Sequence, residues 1–224
     1  MRTAIDNYLK AIFECSLSTK RTTNKQVACY LKIAPASVNG IVKKMEQHGL
    51  AYQRPYGPIM LSTKGGMQRA LVLMQRYRLC EAWLVHDFEL PLTTIPHQAW
   101  EIADFDDAQL VQQLNQYLDY PKVSPFGGGA IQNVDQIVND GSQPLINFEA
   151  GQTVRLCSYL ESENTINYFQ NIGLSLQQTL TVGEYNPQKQ TIAVTDRNAR
   201  TLKISEKIGE YIYVSLVKNT IVVD

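Results

Sequence analysis

The sequence predicts an α+β chain built from several parts, and three observations carry that reading. Apolar residues recur at helical spacing through the first half of the chain. Short, alternating, β-branched runs fill the last third. Between them the stretch "YPKVSPFGGGAIQNVDQIVNDGSQP", residues 120–144, joins prolines, three consecutive glycines and a polar tail, the composition of a boundary. A length of 224 residues suits one large domain or two to three small ones. The divisions expected are 1–65, 66–122, a linker at 123–147, and 148–224.

The elements follow in order. Ile5, Leu9, Ile12 and Phe13 place a helix over residues 3–17. "TTNKQVACYL" (22–31) is a second, short helix, with Thr22 or Thr23 as its N-cap. In "PASVNGIVKKMEQHGL", Pro35 suits a first helical turn and Gly49 a C-terminal stop. Val38, Ile41, Val42 and Met45 form the apolar stripe between them. "AYQRPYGPIMLST" reads as two short strands around a Pro-Tyr-Gly-Pro turn. Helix, helix–turn–helix and hairpin is the winged-helix order.

A long helix then runs from about Lys64 to His86. Residues 97–120 are helical with a break near Asp104–Asp107, and Leu110, Val111, Leu114 and Leu118 make a stripe. This helical middle holds more apolar surface than a small unit can bury alone, so it serves either as a subunit interface or as internal core. After Leu145, "QTVRLCSYL", "QTLTVGEY", "QTIAVTD", "RTLKIS" and "EYIYVSL" are five short strands, with a helix near Asn164–Asn171 ending at Gly173. They suggest a small SH3-like barrel.

Net charge is zero, but its distribution is uneven. Residues 1–70 hold 11 Lys and Arg against 3 Asp and Glu; residues 71–140 hold 3 against 10; the remainder holds 7 against 8. A basic first third is the footprint of a polyanion binder. The third helix turns Asn39, Gly40, Lys43, Lys44 and Gln47 away from its apolar stripe. Ser37 and Asn39 suit base edges or phosphates, the lysines suit phosphates, and Gly40 allows close backbone approach. Pro35 starts this helix, and Arg54 and Tyr56 sit at the hairpin tip. A solvated lysine face would explain Lys43 and Lys44 alone; together with the basic segment and the hairpin, duplex DNA is the expected partner.

Several classes are disfavoured. No apolar run approaches the ~20 residues of a membrane span, and the charged start "MRTAIDNYLKAIF" does not read as a secretory signal. Cys15, Cys29, Cys80 and Cys157 are scattered without a CxxC pair, which fits a reducing, cytoplasmic setting. The triple glycine lacks the lysine and strand–helix frame of a phosphate loop. No nucleophile–base constellation stands out, so an enzyme is not expected.

These segments resemble the diphtheria-toxin-repressor and manganese-transport-regulator family of metal-dependent transcription factors over nearly the whole chain. "YLKAIFEC" resembles its first helix, and "PASVNGIVKKMEQHGLAYQRPYGPIMLSTKG" its recognition helix and wing. "RYRLCEAWL" stands where the family has Arg-His-Arg-Leu followed by Glu. "SPFGGGAIQ" resembles its linker, and "FEAGQTVRL…NIGLSLQQTLTV" its SH3-like domain, akin to small proteins of ferrous-iron transport. The resemblance implies a homodimer in which metal orders the N-terminal helix and so sets the spacing of two recognition helices on an operator.

The departures from the family pattern fall on the metal ligands. The motif histidine is Tyr77, while the following glutamate is kept as Glu81. The Glu-His pair falls on Ala103 and Asp104, and the ligand three residues earlier on Trp100. The first-helix ligand falls on Asn7 and a nearby acidic one on Lys10. The linker ligands fall on Ser124 and Phe126, and an ancillary histidine on Pro96, beside His97. Asn7, Glu81, Asp104 and His97 are the residual positions. The expectation is a degenerate or remodelled metal site, with the cofactor open between none and, in the remodelled case, manganese or iron. Within "QRYRLCEAWLVHDFEL" (75–90), Tyr77 and Glu81 share a face at i, i+4, and Cys80 and His86 lie off it. The expected function is a homodimeric DNA-binding regulator acting as a repressor. The alternative is an effector- or protein-binding module centred on the SH3-like domain.

Overall fold

Thr3 opens the first helix: its backbone N–H and hydroxyl both donate to the Asp6 carboxylate, at 2.7 and 3.0 Å, one half of a capping box. This is a computed structural model, and it describes residues 2–18, 22–55, 57–129 and 141–217. Helix α1 spans Ala4–Ser18, and every residue from Leu9 to Cys15 is buried. It is therefore the central helix of the N-terminal part rather than a surface one.

Helix α2, Asn24–Leu31, begins with a complete capping box between Thr23 and Gln26 and ends at Lys32 in the left-handed region. Helix α3, Pro35–Gln47, carries Pro35 in its first turn and buries Val38, Val42 and Met45. Gly49, at φ +66°, supplies the left-handed residue that lets the chain turn back into strand β1, Ala51–Gln53. Strand β1 pairs antiparallel with β2, Ile59–Leu61. Ile59 also bridges Thr22, its N–H donating to the Thr22 carbonyl at 2.8 Å, which ties the hairpin to the start of α2. This is the winged helix-turn-helix that the periodicity predicts.

Helix α4, Gly66–Asp87, follows at once. At Gly66 a Cβ would stand 1.7 Å from the Leu50 carbonyl oxygen, so only glycine lets α4 start against the wing. Helix α5, Ile95–Ile102, and helix α6, Ala108–Tyr117, are separated at the acidic stretch near residue 105. The break is stabilised on both sides. Asp107 caps α6 through Gln109 and Leu110, and Arg76 from α4 donates to the Phe105 carbonyl and pairs with Asp106. Beyond α6, Phe126 is fully buried and the Arg78 guanidinium donates to the Gly129 carbonyl at 2.7 Å. The first residues of the segment read as linker thus pack onto the helices, while residues 130–140 lie outside those described.

The chain divides into two compact units, 1–138 and 139–224. The second is an antiparallel sheet of order β3-β8-β4-β5-β6-β7. Its strands are β3 Gln143–Pro144, β4 Thr153–Tyr159, β5 Thr179–Asn186, β6 Thr191–Asp196, β7 Thr201–Ser205 and β8 Ile212–Leu216. Alternation sets the core face: Val154, Leu156, Leu180, Val182, Ile192, Val194, Ile204, Ile212 and Val214 are buried. Helix α7, Glu163–Ile172, is capped by Ser162 and stopped by Gly173 at φ +64°, and Phe169 stacks on Tyr159 at 3.9 Å. A short helix α8, Glu206–Gly209, precedes β8. This is the SH3-like unit. The pattern misses β3, a two-residue strand containing proline that exists only by pairing with β8.

Candidate functional site

Burial of Val38, Val42 and Met45 fixes which side of α3 meets solvent. Pro35, Ser37, Asn39, Gly40, Lys43 and Lys44 are all exposed, as is Arg54 beyond β1. A Cβ at Gly40 would meet no protein atom within 4 Å, so the space above it is open to a partner's backbone. Arg54 lies in the turn closed by its carbonyl and the Gly57 N–H at 2.8 Å; Tyr56 lies outside the described residues. Asn39 is held by an amide relay absent from the sequence reading. Gln53 donates to the Gly57 carbonyl at 2.9 Å and to the Asn24 side-chain oxygen at 3.1 Å, and the Asn24 amide donates to the Asn39 oxygen. Wing, α2 and recognition helix are thereby joined, and the Asn39 amide N–H groups are left to donate elsewhere.

A second arrangement lies between α1 and α4. Asp6, Lys10 and Glu14 recur at i, i+4, i+8 on α1 and are all buried, the lysine only 7% exposed. Helix α4 answers each. Arg69 donates to Asp6 at 2.7 and 2.9 Å. The Lys10 Nζ sits 3.5 Å from the centroid of the Tyr77 ring. Arg78 pairs with Glu14 at 3.2 Å. The lysine also lies 4.9 Å from the Trp100 ring on α5 and 5.9 Å from that of Tyr30 on α2. Tyr77 and Trp100 meet edge to face at 5.6 Å. The Arg2 guanidinium covers Trp100 at 4.5 Å. Trp100 in turn donates its indole N–H to Asn7 at 2.8 Å.

The four residual positions have different surroundings. Asn7 is engaged with Trp100, Asp104 accepts the Arg2 backbone N–H at 2.5 Å, Glu81 is wholly buried, and His97 is exposed at the start of α5. In the stretch 75–90, Cys80 is buried; burial first, and then the neighbouring Glu81 charge, push its thiol up to about 12. His86 is exposed and pairs with Asp87 at 2.7 Å. Sequence reasoning missed Arg2, Asn24 and Gln53. The readable hint was the joint replacement of neighbouring ligand positions by Lys10, Tyr77 and Trp100, a cation and two rings.

A recognition-helix face with its wing, followed by a helical unit with exposed Val72, Val85, Phe88, Ile102, Leu110 and Tyr117, defines a winged-helix DNA-binding regulator. The chain belongs to the iron-dependent repressor family. The model described as "Iron dependent repressor, N-terminal DNA binding domain" matches residues 1–59, and "Iron dependent repressor, metal binding and dimerisation domain" matches residues 63–131. Among solved structures the chain is similar to the manganese regulator SloR, with 22% identity and a TM-score of 0.81 over 97% of this chain and 100% of that one. It is also similar to the metal-dependent transcriptional regulator MtsR, at 23% identity and TM-score 0.82 over 95% and 98%. The IdeR of T. acidophilum gives 18% and 0.82 over 97% and 100%. No curated protein matches the chain.

The family implies a metal, and the residues that the resemblance places at its ligand positions do not fit one. Transition-metal binding needs several convergent N, O or S donors. Among the described residues no three His, Cys, Asp or Glu side chains form such a group. An ammonium, a phenol ring and an indole stand at the centre instead. Among the described residues no helix is long and apolar enough to cross a membrane.

Proposed function

We propose that this chain is a homodimeric, sequence-specific, DNA-binding transcriptional repressor of the cytoplasm whose family metal site is degenerate. The observation that carries the reading is the exposed face of α3 within a matched DNA-binding domain. Lys43, Lys44 and Arg54 take phosphates, Ser37 and Asn39 read base edges, Pro35 fixes the helix start and Gly40 admits the DNA backbone. The exposed apolar side chains of α4, α5 and α6 form the subunit contact, a reading supported by the match of this segment to the family's metal binding and dimerisation domain. Two α3 helices then sit about 34 Å apart over a near-palindromic site. Asn7, Glu81, Asp104 and His97 are what remains of the ligand set, and no effector metal is required.

The test is a mobility-shift assay of the full chain with fragments of the genome that encodes it, repeated with chelator and with excess manganese, together with sedimentation. The expected result is a retarded fragment containing a two-fold symmetric protected site and a dimer at micromolar concentration. A chain that retards no fragment in either condition sinks the reading and favours the effector- or protein-binding module.

A further inference from the structure

The disagreement between family metal and resident side chains points to a device of this chain's own. Lysine is almost never buried unless its charge is compensated. Lys10 is 7% exposed, and three aromatic rings lie around its Nζ: Tyr77 at 3.5 Å, Trp100 at 4.9 Å and Tyr30 at 5.9 Å, all to ring centroids. Ring faces carry the negative lobe of the quadrupole, and their attraction for a cation grows when water is excluded. The wholly buried Glu81 follows Tyr77 by one turn of α4. The rings come from α2, α4 and α5, so the one ammonium on α1 gathers three other helices. Its neighbours on the same face, Asp6 and Glu14, are bound to α4 by Arg69 and Arg78. The cage is therefore the middle contact of a continuous polar seam, not an isolated side chain.

We propose that the Lys10 ammonium is a tethered cation that replaces an added metal: it clamps α1 to α2, α4 and α5 and holds the helix-turn-helix in its DNA-binding arrangement without any effector ion. The proposal rests on the DNA-binding reading above. A covalently attached cation cannot dissociate, so the regulator is locked on with respect to metal, and any control of it must come through another signal. A divalent ion is also excluded from the cage by repulsion from the resident charge.

The experiment uses the full chain and the genomic fragment it retards, with affinity read by fluorescence anisotropy in chelator and in excess manganese. Hydrogen exchange of the α1 amides is measured in parallel. Wild type is expected to bind equally in both conditions. Lys10→Met, which keeps the stem and removes the charge, is expected to bind about ten- to a hundredfold more weakly, with faster α1 exchange and no rescue by manganese. Lys10→Arg is expected to stay within about threefold of wild type, because a guanidinium also binds ring faces. A manganese-dependent gain of about tenfold in wild type overturns the proposal by itself, and that arm needs no variant to fold. Lys10→Met matching wild type in affinity and exchange overturns it too. If wild type binds no DNA at all, the DNA-binding reading fails, and the exchange of α1 in Lys10→Met still decides the clamp.

Discussion

The indole N–H of Trp100, on α5, donates to the side-chain oxygen of Asn7, on α1, across 93 residues of sequence at 2.8 Å. Both are positions that the family resemblance assigns to metal ligands, and here they bond to each other. The Arg2 guanidinium lies over the same indole and its backbone N–H reaches Asp104. The N-terminal turn of α1 is thus pinned to α5 and the residue pair after it by the Asn7 and Arg2 side chains and the Arg2 backbone N–H. Trp100→Phe keeps a ring and removes the donor. It is expected to lower unfolding free energy by about 0.5–1 kcal/mol, since the bond is partly open to water. Trp100→Leu also removes the ring face under Arg2 and beside Lys10, and is expected to cost roughly another 1 kcal/mol. Urea unfolding of the two variants checks the order; equal losses would mean the ring contributes nothing.

Local signals made the first unit legible. Thr23, Pro35 and Gly49 act within a turn or two of their own positions, and the Val38–Val42–Met45 stripe states which face of α3 is buried. The strands of the second unit were legible for the same reason, through their alternation. What pairs over long separations was not. Lys10 reads in sequence as a charge in the wrong place, and only the packing of α1 against three helices places its ammonium on ring faces. Nothing local to Asn24 or Gln53 announces the relay to Asn39. Glu81, Asp104 and His97 share a family pattern, yet one faces the core, one meets Arg2 and one meets solvent.

The Asp6–Arg69 pair gives the α1–α4 seam a pH dependence. Burial alone would raise the Asp6 carboxyl, but hydrogen bonds from Arg69 and Thr3 outweigh it and hold the group below the ordinary aspartate value. A carboxylate with a lowered folded value contributes stability that is complete above the unfolded value of about 4 and is lost as pH falls through the folded one. Arg69 is 43% exposed, so the contribution is expected to be on the order of 1 kcal/mol. Arg69→Ala should lower stability at neutral pH and flatten its decline below about pH 4. Parallel acid-unfolding curves for the two proteins would contradict this.

Gly66→Ala tests the junction between wing and α4. The new methyl would fall 1.7 Å from the Leu50 carbonyl oxygen, a backbone atom that no rotamer change can move. The neighbouring Ser62 hydroxyl, which donates to the Gly49 carbonyl at 2.5 Å and accepts from the Gly66 N–H at 2.9 Å, would have to shift as well. Overpacking of this kind is expected to cost about 1–3 kcal/mol, whereas Gly40→Ala, with open space, should be stabilising or neutral in the absence of DNA. Melting temperatures of the two variants give the comparison directly.

Thiol reactivity should follow burial. Cys15 is pushed up to about 12, first by burial and then by the charge of Glu14 and the proximity of Cys29; Cys80 reaches about 12 by burial and Glu81. The thiolate, the reactive form, is therefore disfavoured at both. Cys29 is exposed and Cys157 half-buried. Native alkylation followed by peptide mass analysis should find Cys29 labelled first, Cys157 more slowly, and Cys15 and Cys80 only after unfolding. Early labelling of Cys80 would mean that α4 opens in the native state.

Specificity and affinity should separate on α3. Lys43 and Lys44 face solvent and have no role in the amide relay, so Lys43→Ala is expected to weaken all duplexes alike and reduce the log–log salt slope by about 0.9. Asn39 can donate to a base acceptor because its oxygen is already occupied by Asn24. Asn39→Ala is expected to reduce discrimination between the selected site and unrelated DNA by about 1–3 kcal/mol while leaving the salt slope unchanged. Gln53→Ala touches no DNA in this reading, but it frees Asn24 and with it the orientation of Asn39. It should therefore lose part of the same discrimination, with non-specific binding intact. Competition binding with selected and scrambled duplexes separates these outcomes. A Gln53→Ala protein that keeps full discrimination would show that Asn39 is positioned by α3 alone, and one that loses both modes equally would show that the wing has come apart.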